Sequence, residues 1–151
     1  MGWLSDDAED IAGKKFQSAS EYFKALFDSG GDSPYVDCSK DYAMLDGKSM
    51  WNVAQGVMAG MSDGTPIMVS ANFDCPRLPR RWKGSGQDAD QTIAVSSIGK
   101  VGDYGIVVAY KGGAVKVIPA AEVTLQNILG NEPLPILPAS WLTPDGVVEA
   151  K

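Results

Sequence analysis

Histidine is absent from the 151 residues of this sequence, and cysteine occurs only twice. Without histidine the chain lacks the usual general base, the Ser–His and Cys–His nucleophile arrangements and the commonest metal ligand. Two cysteines are too few for a four-thiolate zinc site. We therefore expect no catalytic residue, no cofactor-binding residue and no metal ligand, and we interpret the protein as a non-enzyme.

The sequence also lacks a long apolar run and a signal-like start. No stretch is apolar for long enough to cross a membrane. The first ten residues, MGWLSDDAED, are acidic and polar, whereas a signal peptide begins with basic residues followed by an apolar core. We predict one globular domain over residues 1–151, with a partly ordered helix in residues 1–15.

Basic residues are outnumbered by acidic ones, which gives a net charge of −6 and an isoelectric point near 4.5. Nucleic-acid-binding surfaces need clustered lysine and arginine, so we expect no nucleic-acid partner. Arg77, Arg80 and Arg81 form a small basic cluster. In a chain of mixed charge, such a cluster is typical of a solvated loop.

Cys38 and Cys75 are the candidate disulfide of this chain, because an even number of cysteines permits complete pairing. The bond would close a long loop, stabilise the fold by about 3–4 kcal/mol and indicate an oxidising compartment. The alternative is two free, buried thiols. The sequence leaves both open.

Residues 104–118, YGIVVAYKGGAVKVI, predict the β-hairpin around which the fold is organised. A Gly-Gly pair separates two alternating apolar runs, and a two-residue turn needs the positive φ that glycine adopts without strain. This turn would place Tyr110 opposite Val115, and a shift of one residue would move Lys116 among the apolar side chains. The side chains predicted to share the buried face are those of Ile106, Val108, Tyr110, Val115 and Val117.

Two helices are predicted to cover this hairpin. Residues 18–27 begin with a capping box, in which Ser18 and Glu21 satisfy free backbone N–H groups, and continue with an apolar stripe. Residues 49–61 carry apolar side chains at helical spacing, although their glycines weaken a helix. A strand over residues 51–57 is the alternative.

The remaining segments complete an α+β fold. Residues 66–73 and 92–98 predict strands, and residues 121–129 predict a short helix. Residues 131–151 predict an extended, proline-rich tail, in which residues 147–148 either form a last short strand or fray. The predicted class is therefore α+β, with an N-terminal amphipathic helix and a second helix packed on a small antiparallel sheet centred on the Gly-Gly hairpin.

Pairs of acidic residues offer the chemistry that an enzyme or a calcium site would need. Asp88 and Asp90 lie in a loop and have oxygen ligands, but their spacing departs from the EF-hand pattern. Together with Asp41 and Asp46 they are the candidate acid–base pairs of an enzyme. Acidic residues that are close in sequence are usually solvated in loops, so we expect no enzyme and leave calcium binding open.

Three segments, in the same order along the chain, resemble the globular heads of bacterial pilin-like proteins, the pseudopilins of type II secretion and type IV pilus systems. They are residues 20–27 (SEYFKALF), residues 61–71 (a turn before a proline-led strand) and residues 104–113 (YGIVVAYKGG). The resemblance spans roughly residues 16–118. It implies an amphipathic helix packed on an antiparallel sheet, with residues 1–15 as the remnant of a longer N-terminal helix.

The same resemblance implies a function in assembly. Such proteins are non-enzymatic subunits on the periplasmic or extracellular face of the cell envelope, and their partners are the protein subunits of their own assembly. They begin with a basic leader and a long apolar helix, which this sequence does not contain. A membrane contact is therefore expected only through a segment absent from this chain. Some members bind calcium in a C-terminal loop, but no residues here match that loop.

The alternative function is a secreted or periplasmic module that binds a small ligand or a peptide. Such a module needs a concave pocket lined by apolar and aromatic side chains. The candidate residues for this pocket are Tyr35, Trp51, Trp82 and Tyr110.

Overall fold

A six-stranded antiparallel sheet organises the protein in a computed structural model, which describes residues 16–29, 44–45, 48–86, 89–96 and 105–150. In chain order the helices and strands are α1 (Ala19–Ser29), β1 (Met44–Leu45), β2 (Lys48–Ser49), β3 (Trp51–Gln55), β4 (Pro66–Ser70), β5 (Ile106–Tyr110), β6 (Val115–Ile118), α2 (Leu125–Leu129), β7 (Ser140–Leu142) and β8 (Val147–Glu149). Short 3-10 turns lie at Cys75–Arg77 and Ala120–Glu122.

The strand order is β6–β5–β4–β3–β7–β8, and every neighbouring pair is antiparallel. Strands β3 to β6 follow one another as a meander, and the last two strands return to the other side of β3. Strand β3 is therefore interior, and β6 and β8 are the edges. Strands β1 and β2 form a separate two-stranded hairpin.

The two faces of the sheet are buried by different parts of the chain. On the inner face, the strands pack against the connections that follow β4 and β6. The strand residues in that cluster include Ala54, Val69, Ile106, Val108 and Trp141. On the outer face, Tyr22 and Phe23 of α1 join Val53 and Leu142 in a second buried cluster. The helix thus covers β3 and β7 on the outer face.

The predicted α+β class is wrong, because the sheet dominates the described structure and its two helices are short. Residues 49–61, predicted as the second helix, contain β3 and the chain that follows it. Because β3 is covered on both faces, Val53 and Ala54 are both buried, and this pattern also fits a helix. Gly56 then adopts a φ of 72°, which lies far from α-helical values.

The predicted hairpin of β5 and β6 is confirmed, but its register differs by one residue from the prediction. Val108 pairs with Lys116 rather than with Val117. A three-residue loop, residues 111–113, replaces the expected two-residue turn. Val115 and Val117 therefore point to the outer face, and Lys116 lies on the inner side of the edge strand.

Contacts with the turn before β4 account for this register. The backbone N–H of Lys111 donates to the Thr65 carbonyl over 2.8 Å, and that of Gly112 donates to the Asp63 carbonyl over 2.9 Å. A Cβ at position 112 would lie 2.7 Å from the Cβ of Asp63, so this approach requires glycine. Gly113 supplies the positive φ, 98°, that closes a three-residue loop.

Hydroxyl side chains cap both described helices, and α2 begins at Leu125 rather than at the predicted residue 121. The Ser18 hydroxyl accepts a hydrogen bond from the Glu21 backbone N–H over 3.1 Å, which confirms the predicted start of α1. The Thr124 hydroxyl caps α2 by accepting from the Asn127 N–H over 3.0 Å. Pro66 is the first residue of β4, where its missing N–H is tolerated although the strand is interior.

The C-terminal segment departs from its predicted form. Residues 131–151, expected to be an extended tail, contribute β7 and bury Leu134 and Leu137 in the inner-face cluster. The short strand offered for residues 147–148 is present as β8. Residues 92–96 make one isolated bridge, from Thr92 to Thr124, instead of a strand.

The predicted helix of residues 1–15 lies outside the described residues. Within the described ranges, no helix combines the length and the apolar character needed to cross a bilayer.

Candidate functional site

Of the candidate disulfide pair, Cys75 lies at the start of a 3-10 turn and is bonded to no described cysteine, and Cys38 lies outside the described residues. The Cys75 side chain is 1% exposed. Burial strongly raises the pKa of its thiol, and a side-chain hydrogen bond with Asn52 opposes that shift. The pairing with Cys38 stays a prediction.

The candidate acidic pairs are not brought together by any described contact. Asp90 is exposed, whereas Asp41, Asp46 and Asp88 lie outside the described residues. In the part of the chain that the structure describes, no group of three or more Cys, Asp or Glu side chains is arranged to hold a metal ion.

The aromatic residues predicted to line a pocket lie in different places. Trp51 packs beside the outer-face cluster, whereas Trp82 and Tyr110 belong to the inner-face cluster. The Trp82 indole N–H donates to the Gly130 carbonyl over 2.9 Å, which is a structural contact. Tyr35 lies outside the described residues. The described members of this set therefore do not form the expected pocket.

Tyr110 is held by contacts at both ends of its side chain. Its hydroxyl donates to the Ile128 carbonyl over 2.6 Å, and the Lys116 Nζ lies 5.4 Å from its ring centroid. The cation–π contact explains how a lysine is accommodated on the inner side of β6. Burial raises the pKa of Tyr110 to about 12, so its hydroxyl stays protonated at neutral pH.

Replacing Tyr110 with phenylalanine is expected to change the alkaline pH dependence of stability. An unfolded tyrosine loses its proton near pH 10, and the folded one does so near pH 12. The Tyr110 contribution is therefore fully present below pH 10 and is lost as the pH rises through 12, by about 2–3 kcal/mol in total. Urea unfolding of both proteins between pH 8 and 11 measures the difference. Parallel stability curves would contradict the assignment.

A cleft of about 470 Å³ opens between the ends of β3 and β4 and the turn that joins β7 to β8. Its lining includes Asn52, Ala71, Asn72, Cys75, Thr143 and Asp145. The Asn72 amide nitrogen donates to the Gly105 carbonyl over 2.7 Å, while its buried Oδ1 has no hydrogen-bond partner among the described residues. At the rim, Lys48 and Asp145 form an exposed ion pair of 3.1 Å, which contributes little to stability.

A row of apolar side chains crosses the outer face of the whole sheet. Cross-strand pairing places one side chain of each strand directly opposite the next. From one edge to the other, these side chains are Val115, Ala109, Met68, Val53, Leu142 and Val147. We call these six residues the apolar row.

Helix α1 covers only the centre of the apolar row. Val53 and Leu142 are buried beneath it. At the edges, the side chains of Val115 and Val147 are 63% and 48% exposed, and Val117, next to Val115 on the same face, is 59% exposed. The outer face thus continues beyond α1 as an open apolar surface.

In β6, the apolar and polar side chains lie on the faces opposite to those expected for a strand with one solvated face. An antiparallel sheet with one wet face shows polar residues on that face and apolar residues inside. In β6 the valines point outward, and Lys116 points inward. Single exposed apolar residues are common, but here Val115 and Val117 adjoin the half-buried Ala109. Such a continuous surface is typical of a protein–protein contact.

No protein-family model matches this chain, and it matches neither a curated protein nor a solved structure. The candidate site is therefore interpreted from its own residues. Sequence reasoning found the alternating valines of β6 but assigned them to the buried face, because the predicted register of the hairpin differs by one residue from the observed register.

Proposed function

We propose that this protein is a non-enzymatic subunit of a cell-envelope assembly, resembling a pseudopilin, and that it binds neighbouring copies through the outer face of its sheet. The observation that carries the proposal is the apolar row, which α1 covers at its centre and leaves open at β5 and β6. A second copy, bringing a helix like α1, is the occupant that this surface fits.

The dimensions of the open surface support a helix as the contacting element. Strands β4, β5 and β6 span about 10 Å, at about 4.8 Å between neighbours. An α-helix with its side chains is about 10–12 Å across. On the same row, α1 already packs Tyr22 and Phe23 over Val53 and Leu142. A neighbouring helix alongside α1 would meet the same kind of surface.

The resemblance noted in the sequence agrees with this choice of surface. Its three segments, residues 20–27, 61–71 and 104–113, contain most of α1, all of β4 and all of β5. These elements supply the covering helix and the middle of the outer face. The pseudopilin-like part of the sequence and the proposed contact surface are therefore built from the same residues.

Charging the open end of the row is expected to weaken self-association at least tenfold. The variant carries Val115→Lys and Val117→Lys, and both side chains are exposed, so the fold should persist. Sedimentation velocity over a concentration series measures the association of the full chain. The control carries Ala120→Lys and Ala121→Lys, which add the same charge at exposed positions of a 3-10 turn.

Two results would count against this proposal. Equal weakening in both variants would show that added charge alone disturbs the contact. A wild-type chain that stays monomeric at every concentration would leave the apolar row without a second copy to bind.

The cleft of about 470 Å³ favours one alternative, a module that binds a small ligand. Its volume lies in the range of ligand sites, and Asn72 offers a buried, unpaired acceptor in its wall. A compound that raises the melting temperature in a small-molecule screen, without changing self-association, would favour this alternative.

A further inference from the structure

A loop of four basic side chains stands out in this acidic protein. Arg77, Arg80, Arg81 and Lys83 are all exposed. Among the described residues, the two ion pairs involve other lysines, Lys48 and Lys111. We call residues 77–83 the basic loop.

The basic loop is held in place by its backbone and by two buried side chains. Leu78 and Trp82 belong to the inner-face cluster. Trp82 and Leu134 exchange two backbone hydrogen bonds of 2.8 Å each, and the Leu137 N–H donates to the Arg80 carbonyl over 3.1 Å. The backbone of the basic loop is therefore fixed, and the Arg80 Nε also donates to the Ala150 carbonyl over 3.3 Å. This order lowers the entropy that a partner's binding would cost.

The acidic charge of the protein is concentrated elsewhere in the chain. Residues 1–46 carry ten acidic and four basic side chains, whereas residues 47–151 carry nine of each. The whole net charge of −6 therefore belongs to the first third of the sequence. The densest part is Asp6-Asp7-Ala8-Glu9-Asp10, which we call the acidic run.

We propose that the basic loop of one copy binds the acidic run of the next copy. This inference rests on the proposed function, because it assumes that copies assemble. Four cations within seven residues match four carboxylates within five, and each copy supplies both partners. A nucleic acid or an anionic bilayer would instead be repelled by the net negative charge.

The contact is directional because it joins two different segments of identical subunits. The basic loop is anchored in the inner-face cluster, and the acidic run lies outside the described residues. A contact between two different surfaces of identical subunits is heterologous, and it produces an open chain unless its rotation closes a ring.

A charge exchange tests this contact. One variant carries Arg77→Glu, Arg81→Glu and Lys83→Glu, and the other carries Asp6→Lys, Asp7→Lys and Asp10→Lys, so that the net charge of each altered segment changes sign. Each variant alone opposes like charges, so its self-association should weaken at least tenfold. An equimolar mixture restores opposite charges at every contact and should regain wild-type association. About 0.5 M salt, which shortens the Debye length to a few ångströms, should weaken both the wild type and the mixture.

Overall attraction cannot produce that rescue, because the two variants would carry net charges of −12 and 0. Wild-type association in either single variant, or no gain on mixing, would overturn the inference. If the charge-changed variants still associate and the Val115→Lys, Val117→Lys variant does not, the basic-loop contact is wrong and only the outer-face contact is supported. If the Val115→Lys, Val117→Lys variant still associates and the charge-changed variants do not, only the basic-loop contact is supported.

Discussion

Replacing Gly105 with alanine is expected to destabilise the protein by about 4 kcal/mol or more, because two separate costs add at this position. Gly105 adopts a φ of 108°, which an alanine rarely accepts. A Cβ built there would lie 2.0 Å from the Ile118 carbonyl oxygen and 2.7 Å from the Ala120 nitrogen. Both atoms belong to the backbone beside the β5–β6 ladder, so neither can move away without breaking the edge of the sheet.

Substitutions at two other glycines allow the cost of backbone strain to be measured apart from the cost of the steric clash. Gly130 has a φ of 83° and a ψ of −170° but open space around its Cβ position, so Gly130→Ala should cost about 1–3 kcal/mol from backbone strain alone. Gly146 has open space and no positive φ, so Gly146→Ala should change stability by less than about 1 kcal/mol. Urea unfolding followed by tryptophan fluorescence measures all three. Equal losses at Gly105 and Gly130 would show that the chain is not packed against residue 105 as described.

Elements specified by neighbouring residues could be predicted from the sequence. The start of α1 follows from Ser18 and Glu21, whose capping geometry involves a single turn of chain. The hairpin follows from a Gly-Gly pair between alternating apolar runs. In both cases the interactions that determine the structure lie within a few residues of each other.

The nature of β3 could not be decided in this way. An interior strand covered on both faces buries consecutive side chains, as Asn52, Val53 and Ala54 show. That pattern satisfies a helical stripe as well as a strand, so periodicity does not separate the two. The answer depends on β4 and β7, which pair with β3 from distant parts of the sequence.

The candidate site was missed for a related reason. Alternation in β6 separates Val115 and Val117 from Lys116, but it does not say which set faces the core. Apolar burial favours the valines, and the sequence therefore predicts them inside. The hairpin adopts the other register because its loop, residues 111–113, contacts Asp63. This contact joins residues about fifty positions apart in the chain. The apolar row, with one residue from each of six strands, cannot be seen before that register is known.

Leu142→Ala and Val147→Ala should differ in their effects by about 2 kcal/mol or more, although the two residues are direct neighbours. They form a cross-strand pair on the outer face. Leu142 is fully buried beneath α1, so truncating it should cost about 3 kcal/mol through lost burial and the cavity left behind. Val147 is 48% exposed, and its truncation should cost less than about 1 kcal/mol. Urea unfolding of both variants measures the difference.

The same pair of variants also reports on α1 itself. Because Leu142 shares a buried cluster with Ala19 and Phe23, Leu142→Ala should speed hydrogen exchange along α1, whereas Val147→Ala should leave it unchanged. Equal losses of stability, or unchanged exchange in both variants, would mean that α1 does not lie over β7. A clear difference would establish that the helix covers the centre of the apolar row. The exposed valines at both ends of the row would then be a surface that the described part of the chain leaves open, as binding a neighbouring copy requires.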